Sequence, residues 1–92
     1  MPDNQQESTV FNDCGEKIVV KKISTTKAGN FNLCIHHGDP LLDDEVMFTL
    51  SKKDRDTKTV SDKIGDAFHV AGWITSKQER DVIALAILDM TK

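Results

Sequence analysis

The chain predicts an α+β domain: a three- to four-stranded antiparallel sheet with two C-terminal helices packed on one face. Three observations predict it. Apolar and polar residues alternate through 31–36 and 46–50, the period of a strand with one wet face. Beyond Lys52 the apolar spacing changes to three and four, the period of a helix. The strands also come first and the helices last, an order that suits helices layered on a sheet rather than alternating βα units.

Residues 1–8 are polar and hold nothing to bury, so a disordered leader is expected there, followed by one domain over 9–92. Val10 and Phe11 begin a short edge strand. Lys17 to Ile23 is rich in β-branched residues, bounded by Gly15 and by the turn over 25–30. In the next strand Phe31, Leu33 and Ile35 share one face, and Asn32, Cys34 and His36 the other. Val46, Phe48 and Leu50 point inward from a last strand. Short connections containing Gly or Pro favour an antiparallel meander.

Residues 52–58 form a charged loop of mixed sign. Thr59 is placed to cap a helix whose apolar stripe is Val60, Ile64, Ala67, Phe68 and Ala71, with Asp62 favourable in the first turn and Gly72 ending it. Thr75 with Gln78, or Ser76 with Glu79, offers a capping box for a second helix. The seven apolar residues 82–88 that follow are read as helix from their Ala and Leu content; a buried strand is the alternative. A helix apolar all round needs cover all round. A second copy of the chain is the simplest cover; exposure of the small Ala84 and Ala86 is the other.

Ninety-two residues make one domain with a thin core. Net charge is −3, distributed as −4 over residues 1–16, +2 over 17–58 and −1 over 59–92. An acidic chain makes a poor non-specific nucleic-acid binder. The lysine-bearing strands and the 52–58 loop keep nucleic-acid association as the alternative function, although no aromatic is expected on the outer face for bases to stack on. No apolar run reaches the roughly 20 residues of a membrane span. The polar N-terminus does not read as a secretory signal, so a cytoplasmic location with reduced thiols is expected. A Cys14–Cys34 disulfide is the reading for an oxidising compartment.

The densest chemistry lies in CIHHGDP, residues 34–40. Cys34 and His36 share a face, whereas His37 points the other way. Zinc wants four ligands, and the missing ones would have to come from Cys14 and His69, on elements that do not converge. No CxxC, HxxxH or HExxH spacing exists. A thiol nucleophile needs a base, an orienting group and a pocket, and a flat strand face offers no hollow. Cys34 and His36 are therefore expected on a solvated or partly covered outer face, with residues 37–40 as the exit turn. Asp39, Asp43, Asp44 and Glu45 lack EF-hand spacing and read as solvated turn acids. Phosphate-binding glycine motifs are absent from the sequence. Trp73 reads as a core plug beside the first helix, with interface anchor as the other role.

No catalytic, cofactor-binding or metal-ligating set is expected, and hence no cofactor. The expected function is a small non-catalytic protein-binding module, an inhibitor, adaptor or regulator, acting on another protein and able to pair with itself through the last helix. Its partner surface is expected to include Lys21, Asp43, Lys52, Val82, Ile83 and Ile87.

Overall fold

Strand-forming residues pair in the order in which they occur. The computed structural model describes residues 6–37 and 45–91. Four strands, β1 (Gln6–Phe11), β2 (Lys17–Thr25), β3 (Phe31–His37) and β4 (Glu45–Leu50), form one antiparallel sheet in the order β1-β2-β3-β4. Two helices follow, α1 (Thr57–Ala71) and α2 (Lys77–Met90). The architecture is α+β, and residues 82–88 are helical.

The alternation of β2, β3 and β4 divides the sheet into two unlike faces. Ile18, Val20, Leu33, Ile35, Val46 and Leu50 point inward, where they meet Val60, Ile64 and Phe68 of α1 and Ile83, Ala84 and Ile87 of α2. Burying a side chain of this size contributes about 1.5–3 kcal/mol, so these two layers hold the fold together. A β-bulge between Lys22 and Ser24 gives β2 one residue more than β3 opposite it. Beyond the bulge the outer face carries a polar row, in which Asn32 Nδ2 donates to Ser24 Oγ and Thr49 Oγ1 donates to Asn32 Oδ1, each over 2.9 Å.

The edge strand is longer than expected. Gln6, Glu7 and Ser8, assigned to the polar leader, pair with Lys22, Lys21 and Val20. An edge strand needs little apolar content of its own when its backbone groups find partners on β2. This extra length matters to α2, which packs against β1 and β2 as well as α1. Three neighbours absorb most of its apolar girth: Val82, Ala86 and Leu88 are half-buried, and of residues 82–88 only Leu85 is exposed.

Of the helix ends, only the start of α1 departs from expectation. Asp56, not Thr59, caps α1: its side chain accepts from the Thr59 backbone N–H. Ser76 caps α2 by accepting from the Glu79 N–H at 3.1 Å. At the far end of α1, Gly72 has φ 80°, a left-handed conformation cheap only for glycine. There the Gly72 N–H donates to His69 O and the Trp73 N–H to Phe68 O. This is the Schellman pattern, completed by ring contact between Phe68 and Trp73 at 5.0 Å. Trp73 thereby packs on the core as the plug reading expects, but only half-buried, with part of its surface left at a cleft.

Candidate functional site on the outer face

Strand alternation places Cys34 and His36 on the face away from the helices, and the β3–β4 register sets Glu45 directly opposite His36. Three donor atoms converge there. Cys34 Sγ lies 3.6 Å from His36 Nε2 and 3.1 Å from Glu45 Oε2, and His36 Nε2 lies 3.5 Å from Glu45 Oε2. Cys34 is 2% exposed and His36 8%, so of the two expected environments the outer face here is the covered one, and more fully than expected.

The thiol donates to the carboxylate, and its pKa is pushed up to about 12 by burial and, secondly, by the hydrogen bond to Glu45 and that group's negative charge; nearby Lys21 opposes the shift. A nucleophilic cysteine needs the opposite, a depressed pKa in a positive environment. His36 Nδ1 is buried with no hydrogen-bond partner among the described residues. That arrangement favours the tautomer carrying its proton on Nε2, facing Glu45.

The site is not flat. An open cavity of about 490 Å³ is lined by Cys34, His36 and Glu45 together with Gln6, Glu7, Lys21, Lys22 and Ile23. The expectation of no hollow near Cys34 is therefore corrected. The long β1 raises one wall and the bulged end of β2 contributes Ile23, and neither feature is visible in strand alternation alone.

A second arrangement begins one residue further along β3, at the same end of the sheet but on the helix side. His37 Nε2 lies 3.5 Å from Glu79 Oε1 and 3.9 Å from Glu16 Oε1. Asn12 Nδ2 donates to Glu79 Oε2 and Glu16 Oε1, and its Oδ1 accepts from the backbone N–H of Cys14 and Glu16. The network ties the β1–β2 turn to the start of α2. Next to it a cleft of about 220 Å³ is lined by His37, Trp73, Ile74 and Thr75, with His37 and Trp73 edge-to-face at 5.7 Å. Ile74 is fully exposed and Val70, four residues earlier, is 88% exposed.

The expected partner-binding residues scatter. Ile83 and Ile87 are core residues with no exposed surface, and Val82 is half-buried, so these apolar positions are not a ready contact face. Helical periodicity turns Leu85 outward instead. Lys21 lies at the cavity wall, 4.0 Å from Glu7, and Lys52 is exposed in the loop before α1. Asp43 lies outside the described residues, as do Asp39, Asp44 and most of the expected exit turn. Cys14 and Cys34 are both free thiols. Glu45, a turn acid by sequence, owes its role to register, and the one signal the sequence offers is its place immediately before the expected strand 46–50.

Among the described residues no helix is long and apolar enough to cross a membrane. The chain matches no protein family, no curated protein and no solved structure.

Proposed function

We propose that the protein is a small non-catalytic binding module that engages another protein through the corner between α1 and α2. The observation carrying this reading is Ile74, an isoleucine with its whole side chain in water, at the Trp73 cleft and four residues beyond the largely exposed Val70. Full exposure forgoes about 1.5–3 kcal/mol of burial for such a side chain, which a partner would recover. Tryptophan beside aliphatic groups at the mouth of a cleft is a frequent composition of interface hot spots. Nucleic-acid association gains no such support: Lys22 lies over the Phe31 ring at 5.8 Å and Lys21 faces Glu7.

The test compares wild type with a Val70→Asp, Ile74→Asp double variant in capture from native lysate. Both positions are exposed, so the variant should keep the wild-type melting temperature within a few degrees. The expected result is a partner held by wild type, lost by the variant, and bound by purified wild type in isolation. Identical captured sets, or none that binds in isolation, would overturn the reading.

A further inference from the structure

We propose that Cys34, His36 and Glu45 form a three-ligand site for a zinc-type divalent cation, with a fourth coordination position open to the cavity beside them. The proposal does not depend on the protein-binding reading and rests on different residues.

The distances carry it. A tetrahedral zinc ion bound by sulfur at about 2.3 Å and by nitrogen and oxygen at about 2.0–2.2 Å sets its ligand atoms about 3.4–3.6 Å apart. The corresponding separations are 3.6 Å for sulfur to nitrogen, 3.5 Å for nitrogen to oxygen and 3.1 Å for sulfur to oxygen. Two edges already fit. The third is shorter because the thiol donates to the carboxylate, and a metal replacing that proton would push the pair apart by a few tenths of an ångström. The backbone need not move, because all three side chains stand on paired strands whose register fixes them; ligation does require the His36 proton to pass from Nε2 to the buried Nδ1, which has no partner among the described residues.

The donor set selects the class of ion. Calcium and magnesium take six or more oxygen ligands and are poorly served by a thiol and an imidazole. Sulfur, nitrogen and oxygen together suit zinc and its borderline neighbours. Thiolate and carboxylate supply two negative charges against the ion's two positive ones. Three protein ligands leave one position, and the surrounding cavity has room for water or a small anion there.

Untagged protein titrated with Zn²⁺ against a competing chelator, and with Co²⁺ by absorption, tests this. The expected result is one ion per chain, with the Co²⁺ spectrum showing tetrahedral d–d bands and a thiolate charge-transfer band. Even changes behind the ligands cost about 10–100-fold in metal affinity, so Cys34→Ser and Glu45→Gln should each weaken Zn²⁺ at least about tenfold. Glu45 is exposed, so Glu45→Gln should remain folded even if a substitution at buried Cys34 does not. Cys14→Ser should bind as wild type does. An absent charge-transfer band, or Zn²⁺ affinity that survives Glu45→Gln in folded protein, would overturn the site.

Discussion

At the scale of single residues, the Cys34 thiol donates to Glu45 Oε2 while the same oxygen stands 3.5 Å from His36 Nε2. In the metal-free protein burial, and after it the hydrogen bond to Glu45, hold the thiol neutral, with its pKa pushed up to about 12 from an ordinary 9.0. The folded chain thus keeps a proton that the unfolded chain releases above about pH 9. Its contribution to stability is complete below pH 9 and is lost as pH climbs from 9 towards 12. Urea midpoints at pH 8 and pH 10.5 check this. Wild type should lose more stability between the two than Cys34→Ser, whose hydroxyl does not titrate there; parallel losses would refute the argument. Asn12 is the other residue whose surroundings define it. Its one amide serves two carboxylates and two backbone N–H groups, which nothing in its immediate sequence announces beyond a preference for turns.

At the scale of elements, α2 owes its C-terminus to a residue far upstream. Arg55 Nη1 donates to Thr91 O and Oγ1, and Nη2 donates to Leu88 O. The last carbonyls of α2 have no partner within the helix, and its last turn carries no base, so a guanidinium from the 52–58 loop supplies both hydrogen bonds and a favourable charge. Arg55→Ala should cost about 1–2 kcal/mol, read as a lower urea midpoint with faster amide exchange in the final turn. Arg55→Lys should restore only part of it, since a lysine cannot reproduce the planar fork. An unchanged midpoint in Arg55→Ala would show that the contacts contribute nothing. Gly65 reflects a similar constraint between elements: a Cβ there would meet Arg80 Cδ at 3.2 Å, so α1 carries glycine where the Arg80 side chain of α2 crosses it.

At the scale of the whole molecule, most apolar surface of sheet and helices closes on one side, and the outer face carries polar groups, the cavity, buried Val19 and exposed Met47. Two neighbours on α2 separate core from surface. Ile87 has no exposed surface and Leu85 is 58% exposed. Ile87→Asp should cost more than about 4 kcal/mol, a large part of the about 5–14 kcal/mol expected for a chain of this size, and the variant should be largely unfolded by circular dichroism. Leu85→Asp should change stability by less than about 0.5 kcal/mol. If wild type is dimeric by light scattering and Leu85→Asp is not, α2 is a self-association face; a wild-type monomer at tens of micromolar removes that role.

The meander, the helical tail, the glycine stop after α1 and the sorting of Cys34 and His36 from His37 are all legible in the chain itself. Each arises from forces that act within a few residues: side-chain alternation, helical periodicity, and the capping of nearby backbone groups. Tertiary structure decided the rest. Glu45 reaches His36 only through strand register, Asn12 reaches Glu79 across 67 positions, and Arg55 reaches Thr91 across 36. The cavity and the cover over α2 likewise depend on how far β1 extends along β2. These meetings are set by the packing of whole elements, whose energy is spread over many contacts, so no short stretch of sequence carries their signature.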